Sequence, residues 1–111
     1  QILLSDKFEF YDFQAKYLDN SMQLVVPADL PAGIEAKIQQ AALVAFKAAG
    51  CEGLARIDFF YSDQGEIIIN EINTMPGFTP TSVYPKLIEK SGVSYQQLIT
   101  KLIQTAQNRS R

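Results

Sequence analysis

The stretch Ile67-Ile68-Ile69-Asn70-Glu71-Ile72-Asn73-Thr74-Met75-Pro76-Gly77 constrains this chain more than any other. Consecutive isoleucines favour a strand, and strand interiors seldom hold Pro or Gly, so the strand must end near residue 73. Side chains two apart on a strand point to the same face. Glu71 and Asn73 therefore present oxygens side by side where the chain turns away. Oxygens so placed suit Mg²⁺, which takes one or two carboxylates and completes its octahedron with phosphate and water oxygens.

The 111 residues, 47% of them hydrophobic, predict one compact domain over residues 1–111 with a modest core. A net charge of −2 with scattered Lys and Arg speaks against a nucleic-acid partner. No apolar run approaches the roughly 20 residues that span a bilayer, and no signal peptide is visible, so a membrane partner is not expected. The single Cys51 excludes an internal disulfide and fits a reducing cytoplasm. Its ordinary role is a small buried hydrophobe. The chain has no histidine, so the commonest general base is missing. Chemistry must come from carboxylates, Lys, Arg, Tyr, Ser, backbone groups or a metal. The opening Gln1-Ile2-Leu3-Leu4, without an initiator Met, reads as the middle of a strand. It sets the expectation of a piece cut from a longer protein.

A short edge strand is expected at residues 1–6 and another at 23–26, stopped by Pro27. Between them, residues 6–21 mix aromatics and charges without a period and read as a long ordered loop, a kind that is often functional. A helix opens at Pro31-Ala32-Gly33, carries Ile34, Ile38, Ala41, Ala42, Ala45, Phe46 and Ala49 at helical spacing, and stops at Gly50. Residues 54–61 and 66–73 read as a hairpin turning through Ser62-Asp63-Gln64-Gly65. With Tyr61 set opposite Glu66, Arg56 faces Glu71 and Asp58 lies diagonal to it. Leu54, Phe60, Ile67, Ile69 and Asn73 then share that face, and Ala55, Ile57, Phe59, Tyr61, Ile68 and Ile72 make an apolar face toward the first helix. Ser82 is placed to cap a short helix with Pro85 in its first turn, and Gly92 ends it. Ser94 and Gln97 form a capping box, and Val93 with Leu98 a hydrophobic staple. Leu98, Ile99, Leu102, Ile103 and Ala106 stripe the last helix, and the tail 108–111 is expected to fray.

Asp58, Glu71 and Asn73 are the candidate metal set. Two carboxylates so close repel unless a cation sits between them, and Arg56 can itself be that cation. The competing reading is a cross-strand Arg–Glu pair with exposed neighbours. Gly77 can offer a backbone N–H to a developing oxyanion, or can be an ordinary turn glycine. Lys16, in the aromatic loop, can reach a phosphate as a mobile point charge, or can be a solvated surface lysine. Ser82 can bind a carboxylate near a helix N-terminus, or can only cap it.

Four segments in order, Tyr11-Asp12-Phe13-Gln14-Ala15-Lys16-Tyr17, Gly53-Leu54-Ala55-Arg56-Ile57-Asp58, Asn70 to Thr79, and Ser82-Val83-Tyr84-Pro85, resemble the D-alanine–D-alanine ligases, ATP-grasp enzymes of bacterial peptidoglycan synthesis. The resemblance runs from about residue 5 to 106. It implies an α+β fold, an antiparallel sheet with helices packed on it, forming the C-terminal part of an ATP-grasp fold. It implies that Asp58, Glu71 and Asn73 ligate two Mg²⁺ (or Mn²⁺) ions bridging the ATP phosphates. Lys16 would contact the terminal phosphates together with Tyr11. Arg56 and the Gly77 N–H would stabilise the acyl phosphate and the tetrahedral intermediate. Ser82 and Val83 would hold the carboxylate of the second D-alanine, and Tyr17 would help close the loop. Relatives that make a D-alanyl-D-lactate ester tend to carry a histidine in this loop, so the dipeptide is preferred. The implied whole protein is a cytoplasmic homodimer acting on ATP and D-alanine. Its adenine pocket and first D-alanine site would lie in domains outside these residues, so the chain alone is expected to fold without ligase activity. Two alternatives stand beside this: another ATP-grasp carboxylate–amine ligase, and a non-catalytic ATP-grasp-like binding module.

Overall fold

In the computed structural model, the described residues are 1–4, 22–79 and 81–109. The expected loop, with Tyr11, Lys16 and Tyr17, lies outside them. The chain divides into two compact units, Gln1–Leu30 and Pro31–Arg111.

The first unit contains β1 (Ile2–Leu4) and β2 (Met22–Leu24), paired antiparallel with Leu3 opposite Gln23. The ladder is extended by the Val25 N–H, which donates to the Gln1 carbonyl at 2.9 Å. β2 ends three residues before Pro27, whose peptide bond with Val26 is cis.

The second unit contains α1 (Ile34–Ala48), β3 (Arg56–Tyr61), β4 (Ile67–Asn73), α2 (Val83–Lys90) and α3 (Tyr95–Gln107). α1 ends as its sequence dictates. The Gly50 N–H reaches the Lys47 carbonyl at 3.0 Å and the Cys51 N–H reaches that of Phe46 at 3.0 Å. This pair of bonds requires a left-handed residue at position 50, and Gly50 supplies it with φ 64°. α2 closes the same way at Gly92, with the Val93 N–H on the Ile88 carbonyl at 3.3 Å. α3 begins with the expected capping box: the Gln97 N–H donates to the Ser94 hydroxyl at 3.3 Å, and the Ser94 N–H to the Gln97 side chain at 2.9 Å.

α1 packs against β3, and α2 against α3. Ala45 on α1 and Leu98 on α3 are buried, as are Pro76 and Pro85, and these four complete the buried set among the described residues. The stripe on α3 is buried only at its start, because Ile103 is 54% exposed. Cys51 is half-buried rather than buried. Arg109, beyond α3, pairs with Glu52 at 2.7 Å and ties the end of that helix to the turn after α1.

The hairpin is antiparallel as expected, but its register differs from the sequence expectation. The Ser62 N–H donates to the Glu66 carbonyl at 3.0 Å, and the Ser62 hydroxyl accepts from the Glu66 N–H at 3.1 Å. Glu66 thus pairs with Ser62, which leaves Tyr61 opposite Ile67. A second shift follows between Asp58 and Phe59: Phe59 faces Ile69 while Asp58 faces Glu71, so Asn70 is an extra residue, a β-bulge. The shift at the turn reassigns the faces of Ile67, Ile68 and Ile69, and the bulge at Asn70 then returns Glu71 and Asn73 to the face of Arg56 and Asp58. Ile67 and Ile69 join Ile57, Phe59 and Tyr61, whereas Ile68 lies across from Phe60 on the face that holds Arg56 and Asp58.

Candidate functional site

β3 and β4 build the polar end of one hairpin face. Asp58 stands directly across from Glu71, and Arg56 across from Asn73. All four side chains therefore point to one side. The Arg56 guanidinium grips Asp58 with both prongs, Nε to Oδ1 and Nη2 to Oδ2, each at 2.8 Å. The same Nη2 donates to Glu71 Oε1 at 3.1 Å. One delocalised cation thus offsets two opposed carboxylates, in the planar fork geometry that suits Arg and not Lys. Farther along this face, Phe60 and Ile68 are 60% and 49% exposed.

Asn73 ends the strand. Its Oδ1 accepts the Met75 N–H at 3.0 Å, a local bond that turns the backbone away from the sheet. A carboxamide oxygen has two lone pairs, so the second stays available to a ligand. Glu71 is half in solvent, and the oxygen it turns to Arg56 Nη2 is Oε1. Asp58 Oδ1, Glu71 and Asn73 Oδ1 are hard oxygen donors converging on one face, a set that fits Mg²⁺ or Mn²⁺ with further oxygens from phosphate and water. Among the described residues no three acidic, Cys or His side chains come together, so the amide is needed to complete any protein-derived set.

The loop after Asn73 is held from both ends. The Tyr95 hydroxyl on α3 donates to the Phe78 carbonyl at 3.3 Å, and the Phe78 ring packs edge-on against Tyr95 and tilted against Tyr84, with centroids 5.9 and 5.7 Å apart. Burial pushes the Tyr84 phenol above its ordinary pKa, so it stays neutral. Gly77 is where this loop meets α2. A Cβ there would lie 2.8 Å from Ser82 Oγ, too close for carbon and oxygen, so any side chain at this position would force that hydroxyl to move.

Ser82 sits at the N-cap position of α2 but does not cap it. Its hydroxyl turns back instead, accepting the Thr79 N–H at 3.0 Å and meeting the Thr79 hydroxyl at 2.7 Å. Val83 is the first helical residue, half-buried beside it. The structure therefore gathers Arg56, Asp58, Glu71 and Asn73 into one group and Gly77 with Ser82 into another. Thr79 and Tyr95 were missed by sequence reasoning. The run of hydroxyls at 79, 81 and 82 was a visible signal for Thr79. Tyr95 had none, since its partner is 17 residues away in sequence.

The family model for the D-ala D-ala ligase C-terminus matches residues 1–104. Over 98 residues the chain is 56% identical to a D-alanine–D-alanine ligase of Shouchella clausii, which covers 87% of this chain and 27% of that protein. The crystal structure of the VanG D-Ala:D-Ser ligase from Enterococcus faecalis matches with a TM-score of 0.77 at 43% identity, over 94% of this chain and 30% of that one. The D-alanine–D-alanine ligase of Bacillus anthracis, crystallised with ATP, matches with a TM-score of 0.66 at 30% identity, over 78% of this chain and 29% of that one. The chain spans under a third of the length of each of these relatives. Together with the antiparallel hairpin and its packed helices, these likenesses define the C-terminal part of an ATP-grasp fold. The chain belongs to the D-ala D-ala ligase C-terminus family.

Proposed function

We propose that residues 1–111 are the C-terminal catalytic domain of an ATP-dependent ligase that joins two D-alanines and feeds peptidoglycan synthesis in the cytoplasm, as part of a homodimer. The observation that carries the proposal is the group Arg56, Asp58, Glu71 and Asn73 on one hairpin face, in a chain of this family. Asp58, Glu71 and Asn73 are the residues to hold two Mg²⁺ or Mn²⁺ ions. Such ions, when bound, neutralise charge on the transferring phosphoryl group.

The chain's own groups supply positioning and charge. In the proposed reaction a D-alanine carboxylate takes the terminal phosphoryl group of ATP, releasing ADP. The amine of a second D-alanine then attacks the acyl phosphate and expels phosphate. Both steps develop negative charge on oxygens. Arg56 is suited to stabilise it because its fork matches a phosphate as well as a carboxylate. The Gly77 N–H serves the tetrahedral oxygen. Ser82 donates to the carboxylate of the second D-alanine at the start of α2, where the helix dipole favours an anion, and Val83 packs beside it. Lys16 and Tyr11 are assigned to the terminal phosphates, and Tyr17 to closing the loop over the substrates. No step needs a histidine.

A second reading comes from the likeness to a D-Ala:D-Ser ligase, which makes D-serine a rival for the second position. Phosphate release by the full-length protein with Mg-ATP and D-alanine, followed by competition with D-serine and D-lactate, tests both. Dipeptide formation with strong preference for D-alanine supports the proposal. Preference for D-serine transfers it to the second reading, and no ATP-dependent product at all contradicts both in favour of a binding module.

A further inference from the structure

Ser82 and Thr79 share a hydroxyl contact that the proposed reaction does not use. Ser82 Oγ lies 3.0 Å from the Thr79 backbone N and 2.7 Å from Thr79 Oγ1, which is in turn 3.3 Å from Thr81 Oγ1. The backbone closes the same turn, with the Ser82 N–H on the Thr79 carbonyl at 2.9 Å. A hydroxyl has one proton and two lone pairs. One lone pair of Ser82 is filled by the Thr79 N–H. If Ser82 then gives its proton to Thr79, it keeps no donor for an anion. If Thr79 donates instead, both lone pairs of Ser82 are filled and its proton is directed out of the turn.

We infer that Thr79 is a positioning residue for the second amino acid: its hydroxyl donates to Ser82, which fixes the Ser82 oxygen and turns the Ser82 proton toward the substrate carboxylate. The inference rests on the reading that Ser82 holds that carboxylate. Thr81 can donate to Thr79 in the same sense, so the three hydroxyls form a chain running one way. An anion at its end selects this direction, because a charge-assisted bond is stronger than a neutral one and each donor polarises the next. Gly77 leaves the room the arrangement needs, since a side chain there would strike Ser82 Oγ.

The test uses the full-length protein with Thr79→Val, which keeps the shape of the side chain and removes its proton. The expected result is a rise of about fivefold in KM for the second D-alanine, the scale of one neutral hydrogen bond, with kcat and the KM for ATP unchanged. Thr79→Ser restores the value. Ser82→Ala raises the same KM by roughly tenfold or more, the scale of a bond to a charged group, and Thr79→Val adds nothing on top of it. An unchanged or lowered KM in Thr79→Val, with Ser82→Ala still impaired, overturns the role of Thr79 alone. An unchanged KM in Ser82→Ala overturns the carboxylate reading of Ser82, and the inference with it.

Discussion

Asp58 and Glu71 stand directly opposite each other across the hairpin, two carboxylates where like charges repel. Arg56 relieves the repulsion by bonding to both, at 2.8 Å and 3.1 Å. A chain that needed only a stable hairpin would gain little from this, since partly exposed ion pairs contribute about 0.2–1 kcal/mol each. The arrangement makes sense when the acids are required for something else and the arginine keeps them together.

Replacing Arg56 with Gln removes that cation and leaves the two acids facing each other. Stability of the chain should fall by about 1 kcal/mol or less, given how much of Glu71 is in solvent. Millimolar Mg²⁺ should then raise the melting temperature of Arg56→Gln more than that of the parent chain, because the metal takes over the neutralising role. Equal Mg²⁺ responses by calorimetry would argue against the acids as metal ligands.

Gly77→Ala places a methyl group 2.8 Å from Ser82 Oγ. The serine must rotate, which breaks its bonds to Thr79. The expected cost is about 1 kcal/mol in urea unfolding, the scale of a lost hydrogen bond. In the full-length protein, the KM for the second D-alanine should rise while that for ATP holds. A variant with parental stability and KM would show that the glycine serves only the turn.

How much of this was legible in the sequence depends on where the information is local. Gly50 and Gly92 end their helices because the closing bonds need a left-handed residue, and glycine is the residue that marks such places. Ser94 and Gln97 form the box their spacing announces. The convergence of Arg56, Asp58, Glu71 and Asn73 was also visible, but their exact pairing was not. Ile67, Ile68 and Ile69 are interchangeable to any period, so nothing in them shows that Ser62 pairs with Glu66 or that Asn70 is bulged out. Ser82 has the sequence pattern of a cap, yet Thr79 competes for its hydroxyl and wins. Such competition depends on the fold of the whole loop, which is fastened by Tyr95 from a different helix.

Tyr84 gives a pH prediction. Burial raises its phenol above the ordinary value of about 10, so the folded state holds the proton more tightly than the unfolded chain. Its contribution to stability is complete below pH ~10 and is lost as the pH rises through the folded value. Tyr84→Phe, which cannot ionise, should lose less stability than the parent above pH ~10. Parallel alkaline unfolding curves would contradict this.

The metal role of the hairpin acids is tested by Glu71→Gln in the full-length protein, which keeps the shape of the side chain and its place opposite Asp58 while removing its charge. With saturating Mg-ATP and D-alanine, turnover measured as phosphate released with dipeptide should fall on the order of 10²-fold, the scale for loss of one electrostatic contact to a transferring group. Near-normal turnover would contradict the assignment and leave Arg56, Asp58 and Glu71 as a salt bridge on a surface hairpin.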